Sequence, residues 1–218
     1  MITTGIQKLD DLLGGGIRDS IITDIFGPNG TGKTQLTLQI CVNALTNNAT
    51  VLYQDTTGGF RPERLLELVK AKNMEPKLLD LVTVSRITNT AEQIGYIDKM
   101  LEINNICLVI IDNVTDLFSF EYSKESNSLT KHLVFMEYMH KLSLVTLQKK
   151  IPVIITNMIR KSDYEEKENL DRSISMFTHR KIHLTKLDHK YEAEVLPSFG
   201  SKKTIPYIIT QNGLLDSS

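Results

Sequence analysis

Runs of apolar, β-branched residues alternate along the chain with amphipathic segments. Five apolar runs predict buried strands, at Ile21–Phe26, Thr50–Gln54, Leu81–Val84, Cys107–Asp112 and Pro152–Asn157. The segments between them predict helices at Thr34–Leu45, Pro62–Lys72, Ala91–Ile103 and Leu129–Gln148. Because strands that alternate with helices form parallel sheets, we predict an α/β fold with a mainly parallel central sheet flanked by helices.

The C-terminal third has a different pattern. Three short antiparallel strands are predicted there, at Lys181–Leu187, Tyr191–Leu196 and Ile205–Thr210. Two polar stretches, Ser119–Thr130 and Met158–Ser175, follow strands and predict loops at the sheet edge where parallel α/β folds bind ligands. Thr90 and Gln93 have the spacing of a capping box for the third helix.

Composition limits the class of protein. A chain of 218 residues with 41% hydrophobic content fits one domain, so we expect residues 1–218 to form a single core. No apolar run approaches the ~18 residues of a membrane helix. Cys41 and Cys107 lack a C-x-x-C spacing and are expected to be buried thiols in a reducing compartment, which favours a cytoplasmic protein. The net charge of −1 excludes a strong basic field for nucleic acid.

A complete phosphate-loop motif follows the first predicted strand. The eight residues are Gly27, Pro28, Asn29, Gly30, Thr31, Gly32, Lys33 and Thr34, and a helix begins directly after them with Gln35. Strand, glycine-rich loop and helix are the context in which this motif binds phosphate, through backbone N–H groups and the helix N-terminus. We therefore expect ATP at this loop, with Lys33 on the β- and γ-phosphates and Thr34 on Mg²⁺.

Asp112 completes the predicted magnesium site. It ends the apolar run 108–111, which is the pattern of a Walker B strand. A carboxylate at that strand tip can hold the Mg²⁺ shell beside Thr34. The histidines have no partner at metal-binding spacing, so no zinc site is predicted.

Further segments resemble a known family. The opening segment 3–17, with Gly14-Gly15-Gly16, is similar to that of RecA-superfamily ATPase cores of the RadA and KaiC kinds. Residues 32–36 and the segment Phe60–Leu65 narrow the resemblance to RadA-type recombinases and their short RadB-type paralogues, and Ile154–Asn157 resembles the family's fourth motif. The resemblance implies a RecA-like core that binds ATP, with Arg64 packed on the adenine.

Two residues depart from the family pattern near the expected γ-phosphate. Thr57 stands where the family has a glutamate that activates the attacking water, and a hydroxyl cannot accept that proton near neutral pH. Because a positioned base contributes ~10²–10⁴-fold to rate, we expect weak or absent hydrolysis. Asp55 is expected to anchor the loop. Met158 replaces a glutamine that senses the γ-phosphate in the family, and a thioether cannot make the hydrogen bonds of that amide. It is therefore open whether the nucleotide state is coupled to the loop 158–175.

The resemblance also bears on partners. The chain begins at the core, so we expect no N-terminal helical domain, no autonomous filament and action with a full-length RadA-type recombinase. Residues 160–172 carry net charge −1, so single-stranded DNA binding is expected to be weak. The candidate DNA contacts are Lys181, Lys202 and Lys203. The alternatives are a KaiC-like regulatory ATPase that acts on proteins without DNA, and a scaffold that binds nucleotide only for stability.

Overall fold

The computed structural model describes residues 1–45, 49–161, 166–188, 190–197 and 203–217. The α-helices are α1 Gln7–Leu13, α2 Lys33–Ala44, α3 Pro62–Ala71, α4 Thr90–Glu102, α5 Asp116–Glu121, α6 Ser128–Lys149 and α7 Asp171–Ser175. The strands are β1 Ile22–Gly27, β2 Thr50–Asp55, β3 Val82–Arg86, β4 Ile106–Asp112, β5 Val153–Lys161, β6 Glu166–Glu168, β7 Thr178–Leu187, β8 Lys190–Leu196, β9 Thr204–Thr210 and β10 Gly213–Asp216. Short 3-10 helices cover Pro76–Leu81 and Glu125–Asn127.

One sheet organises the described part of the chain, with strand order β10-β9-β8-β7-β1-β5-β4-β2-β3 and β6 paired to β5. Strands β7, β1, β5, β4, β2 and β3 run parallel, and β8, β9 and β10 extend the sheet in antiparallel pairs. The predicted fold class is therefore confirmed. Because β1, β2, β4 and β5 are parallel, their carboxyl ends meet at one edge of the sheet.

Helices cover the two faces of the sheet. One apolar core packs α1, α2 and α3 on one face, around Leu9, Leu36 and Leu68. The other core packs α4, α5, α6 and α7 on the opposite face, around residues such as Phe135 and Met139. Alternate residues of the same strands point to opposite faces of the sheet and belong to different cores. Ile110 belongs to the first core and Val109 to the second.

Several local predictions differ from the structure. The antiparallel strand predicted at 181–187 begins at Thr178 and pairs in parallel with β1 on one side. Residues 119–130 and 158–175 are not simple loops, since they contribute to α5, α6, β5, β6 and α7. The predicted capping box is wrong: Asn89 caps α4 by accepting from Glu92 N at 2.8 Å. Gln93 instead donates to the carbonyl of Val114 at 3.0 Å.

The C-terminal strands β9 and β10 contact the loop between β1 and α2, and also α2 itself. The Tyr207 hydroxyl on β9 donates to the carbonyl of Thr31 at 2.5 Å. Gln39 on α2 donates to the Leu214 carbonyl and accepts from its N–H, at 2.9 and 2.7 Å. These contacts join segments about 176 residues apart and fix α2 against β9 and β10.

Candidate nucleotide site

The phosphate loop adopts a conformation that only glycine tolerates at several positions. Gly30 and Gly32 have φ of 78° and 89°, in the left-handed region. A side chain at Gly27 would also place its Cβ 2.1 Å from the Leu184 carbonyl on β7. The loop is closed by the Thr31 hydroxyl, which donates to the Pro28 carbonyl at 2.9 Å.

Lys33 begins α2 and points back into the loop. Its Nζ donates to the carbonyls of Gly27 and Pro28 at 2.8 and 2.9 Å. Burial lowers the pKa of Lys33, and the nearby Asp112 and Asp116 partly offset this effect. The ammonium has no ion pair among the described residues, so a positive charge is held over an anion-binding loop.

Asp112 lies at the carboxyl end of β4 among neutral hydroxyl donors. Thr34 and Tyr53 donate to Oδ2 at 2.9 and 2.8 Å, and Thr156 donates to Oδ1 at 2.5 Å. These donors come from α2, β2 and β5, so four elements position one carboxylate. Burial, followed by the charge of Asp112, raises the pKa of Tyr53, which keeps its hydroxyl a donor. The Thr34–Asp112 pair predicted as the magnesium site is thus in direct contact.

Asp55 organises the segment that carries Thr57. Its Oδ1 accepts from the N–H groups of Thr57, Gly58 and Gly59, at 3.0, 2.8 and 3.2 Å, and its Oδ2 accepts from Phe60 N at 3.1 Å. The Thr57 hydroxyl also donates to Asp55 Oδ1 at 3.1 Å. The expectation that Asp55 anchors this segment is confirmed.

Asn157 connects the site to the segment that follows β5. Its Oδ1 accepts from the Thr115 hydroxyl at 2.7 Å and from Met158 N at 2.9 Å. Its Nδ2 donates to Glu168 Oε1 at 2.6 Å and to the Asn169 carbonyl at 2.7 Å. A side-chain amide next to Met158 therefore links the middle of β5 to β6.

A cavity of about 490 Å³ lies at the carboxyl edge of the sheet, beside the phosphate loop. Predicted site residues that line it are Asn29, Gly30, Gly32, Lys33, Thr34, Gln35, Thr57, Asp112 and Met158. Asn113, Asp116 and Thr156 also line it and were not predicted as site residues. Thr156 lies in the Ile154–Asn157 segment that resembles the family's fourth motif, so the sequence could have indicated it as a site residue. Asp116 lies in no such motif.

Arg64 lies outside the cavity lining and contacts the C-terminal strands. Its Nε donates to Gln35 Oε1 at 2.8 Å, and its guanidinium donates to the carbonyls of Thr210 and Gln211 at 3.0 and 2.6 Å. It also pairs with Glu67 at 2.7 Å. The contact of Arg64 with adenine stays a prediction.

The predicted DNA contacts have different outcomes. The side chain of Lys181 is 12% exposed and pairs with Glu168 and with Asp171, the latter at 2.7 Å, so its ammonium already has carboxylate partners and its DNA contact stays a prediction. The same ammonium lies 3.5 Å from Asp24 Oδ2. Lys202 lies outside the described residues. Lys203 is exposed and stays a prediction.

Two further features are absent from the described residues. No helix there has the length and apolar character needed to cross a membrane. No group of three or more His, Cys, Asp or Glu residues in that part of the chain is arranged to hold a metal ion.

Comparison with known proteins places this site in a family. The model of the Rad51 family matches residues 1–172. The DNA repair and recombination protein RadA of Cenarchaeum symbiosum is 37% identical over 172 residues, which are 74% of this chain and 43% of that protein. RadA of Metallosphaera sedula is also 37% identical, over 72% of this chain and 52% of its own length.

Shorter relatives match as well. The DNA repair and recombination protein RadB of Pyrococcus furiosus is 33% identical over 162 residues, which are 73% of this chain and 68% of that protein. The chain spans about half the length of the RadA relatives it matches. The resemblance predicted from the phosphate loop, the Phe60–Leu65 segment and the fourth motif is confirmed. The chain belongs to the Rad51 family.

Proposed function

We propose that this protein binds MgATP and takes part in DNA repair by homologous recombination as an accessory to a RadA-type recombinase, with slow ATP hydrolysis. The observation that carries the proposal is the contact of Thr34 with Asp112 beside Lys33 in a glycine loop. The names of the RadA and RadB relatives support the role in repair and recombination.

The site fits a magnesium-bound nucleoside triphosphate. Lys33 presents an ammonium without a carboxylate partner in the described chain, and the open space at Gly30 leaves the loop's N–H groups accessible to phosphate oxygens. Thr34 and Asp112 supply the hydroxyl and carboxylate oxygens that Mg²⁺ prefers. Bound Mg²⁺ neutralises phosphate charge, while Lys33 and the loop orient the triphosphate.

Slow hydrolysis follows from the residues that surround the cavity. Thr57 has no group that accepts a proton near neutral pH, and its hydroxyl is directed to Asp55. Asp55 is occupied by four N–H donors and by Arg86 at 3.4 Å. Asp112 is committed to three hydroxyls. The other carboxylate among the described lining residues is Asp116.

A turnover assay tests the catalytic part. Thr57→Glu should raise ATP turnover at least tenfold, because a carboxylate returns to the position where a base contributes ~10²–10⁴-fold. Thr57→Gln is the matched control, since it adds similar bulk without a base. Unchanged turnover in Thr57→Glu, with ATP binding intact in a thermal-shift assay, would contradict the view that residue 57 limits hydrolysis. Asp116→Asn reports whether residual turnover depends on that carboxylate.

A binding assay tests the accessory role. We expect association with a full-length RadA-type recombinase and weak single-stranded DNA binding that declines steeply between ~50 and ~200 mM salt. Lys203→Ala should lower the salt slope if that side chain contacts phosphate. Absence of DNA binding at low salt with ATP and Mg²⁺ present would remove the DNA part of the proposal.

The second candidate is a regulatory ATPase that acts on proteins without DNA. The pairing of Lys181 with Glu168 and Asp171 favours it, because the Lys181 ammonium then contacts carboxylates of this chain in place of DNA phosphates. The binding assay separates the two candidates. Binding to the recombinase without DNA binding supports an accessory role that acts through protein contacts. Binding to neither the recombinase nor DNA supports the second candidate. Equal partner affinity with ATP and ADP would favour the scaffold alternative.

A further inference from the structure

Helix α6 is apolar on two opposite sides. Its inner side buries Phe135, Tyr138, Met139 and Leu142 in the core. Its outer side exposes leucines that contact no core: Leu129, Leu133, Leu144 and Leu147 are 71%, 60%, 50% and 58% exposed. A surface helix usually carries polar residues opposite its buried face, so this second apolar side needs a separate explanation.

The four outer leucines lie in one line with the half-buried Met136 and the exposed His140. We call it the outer stripe, and its members are Leu129, Leu133, Met136, His140, Leu144 and Leu147. Their successive spacings of four, three, four, four and three residues keep them within a sector of roughly 80° at ~100° per residue. Contiguous exposed apolar surface of this kind marks an interaction site.

The outer stripe is nearly symmetric about its centre. Leu129 and Leu147 lie equally far from residue 138, Met136 and His140 do too, and Leu133 and Leu144 differ by one position. When two copies of α6 pack antiparallel about a two-fold axis near residue 138, leucine therefore meets leucine at both ends. Self-complementarity of this type is what a two-fold interface requires.

A small cavity lies at one end of the stripe. It measures about 130 Å³ and is lined by Ser20, Ile21, Ile22, Ser143, Thr146, Leu147, Met176, Phe177 and His179. Met176 beside it is 66% exposed. In the antiparallel arrangement, Leu129 of the second copy arrives at Leu147, next to this mainly apolar cavity.

We propose that the outer stripe of α6 is a homodimer interface, in which the α6 helices of two copies pack antiparallel about a two-fold axis. The contact closes on itself and does not propagate into a filament. A 22-residue helix is about 33 Å long, so a pair of them buries on the order of 1,000 Å², at the small end of specific interfaces. We therefore expect a weak, reversible dimer.

Sedimentation velocity over a protein range from about 1 to about 200 μM tests the proposal, because weak interfaces dissociate in the micromolar range. The native chain should shift from monomer to dimer. Leu133→Glu combined with Leu144→Glu should weaken the dimer at least tenfold, since it brings carboxylates into the apolar contact. Leu187→Glu, at a 78% exposed leucine on the β7–β8 turn, is the matched control and should leave the dimer unchanged.

Cysteine crosslinking tests the antiparallel register. Leu129→Cys mixed with Leu147→Cys should form a disulfide-linked pair, whereas Leu129→Cys alone should not, because its two copies would lie ~27 Å apart along the helix axis. Native Cys41 and Cys107 interfere little, since burial raises the pKa of both thiols. A chain that stays monomeric at every concentration overturns the interface. Efficient self-crosslinking of Leu129→Cys overturns the antiparallel register.

Discussion

Two buried acidic groups lie on strands β4 and β1, on either side of β5, and are compensated in different ways. Asp112 on β4 is surrounded by the hydroxyls of Thr34, Tyr53 and Thr156 and borders the nucleotide cavity. Asp24 on β1 is fully buried, and with Glu168 and Asp171 it surrounds the ammonium of Lys181. We refer to the second group as the Lys181 cluster.

The difference indicates which group is prepared for a ligand. Hydroxyl donors satisfy the oxygens of Asp112 without neutralising their charge, so the site retains attraction for a cation from solution. The Lys181 cluster contains its own cation, because the ammonium of Lys181 lies within 4 Å of three carboxylates. The presence of an internal cation, more than the number of carboxylates, therefore separates the structural ion-pair group from the binding site in this sheet.

The largest effect is expected where the internal cation is removed. Lys181→Met should lower the free energy of unfolding at pH 7 by about 3 kcal/mol, because it leaves buried carboxylates without a partner. Urea unfolding measures the loss. Lys186→Met, on the exposed part of the same strand, should change stability by less than about 0.5 kcal/mol. Similar losses in both variants would show that the cluster stabilises the fold no more than surface charges do.

Removing the charge of Asp112 should affect binding more than folding. Asp112→Asn should weaken MgATP binding at least tenfold, about 1.4 kcal/mol, because the amide does not attract Mg²⁺ as the carboxylate does. Titration calorimetry with and without Mg²⁺ gives the change. Asp24→Asn is the matched control and should retain the Mg²⁺ dependence. If Asp24→Asn lost that dependence as well, the proposed division between the two groups would be incorrect.

The pH dependence of stability should originate from Asp24. Burial, reinforced by the charge of Glu168, raises its pKa well above the ordinary value despite the opposing Lys181. The folded chain then holds a proton that the unfolded chain has released. Stability is therefore full below the unfolded pKa and falls as pH rises through the folded pKa, by at most about 1.4 kcal/mol per pH unit. Urea unfolding from acid to neutral pH should show this slope in the native chain and a smaller one in Asp24→Asn.

The smallest effect is expected at the rim of the Lys181 cluster. The side chain of Asp171 is 52% exposed, so solvent screens its contact with Lys181. Asp171→Asn should lower stability by less than about 1 kcal/mol. Glu168→Gln, at a side chain only 3% exposed, should cost more. An equal loss in the two variants, measured by urea unfolding, would argue against burial as the cause of the difference.

Local signals were sufficient for most of the architecture and for the centre of the site. The phosphate loop is one continuous segment, and Asp112 and Thr156 end apolar runs whose parallel pairing brings their side chains to one edge. The strand β1 was predicted within one residue for the same reason, because its apolar run is uninterrupted. Each of these features depends on neighbours in sequence.

Features that depend on distant residues were missed. Helix α1 is short, and its first N–H groups are capped by Asp216, with Gln7 N 2.9 Å from Oδ2. The sequence made Lys181 a candidate DNA contact, but it gave no sign that β6 and α7 supply carboxylates to its side chain. Asp116 lines the cavity because α5 begins shortly after Asp112. The loop predicted in this region began at Ser119 and therefore did not include Asp116.

The bond between the Tyr207 hydroxyl and the Thr31 carbonyl has a consequence for how the protein is made. Residues 27–34 leave the ribosome early, but the strands that support them, β7 and β9, are synthesised much later. At ~5–20 residues per second, the interval is on the order of ten seconds or more. A nascent chain therefore carries the complete phosphate-loop motif before β7 and β9 are present to support it. We expect nucleotide binding to begin only after β9 has been released, so the first functional segment in the sequence is among the last to mature.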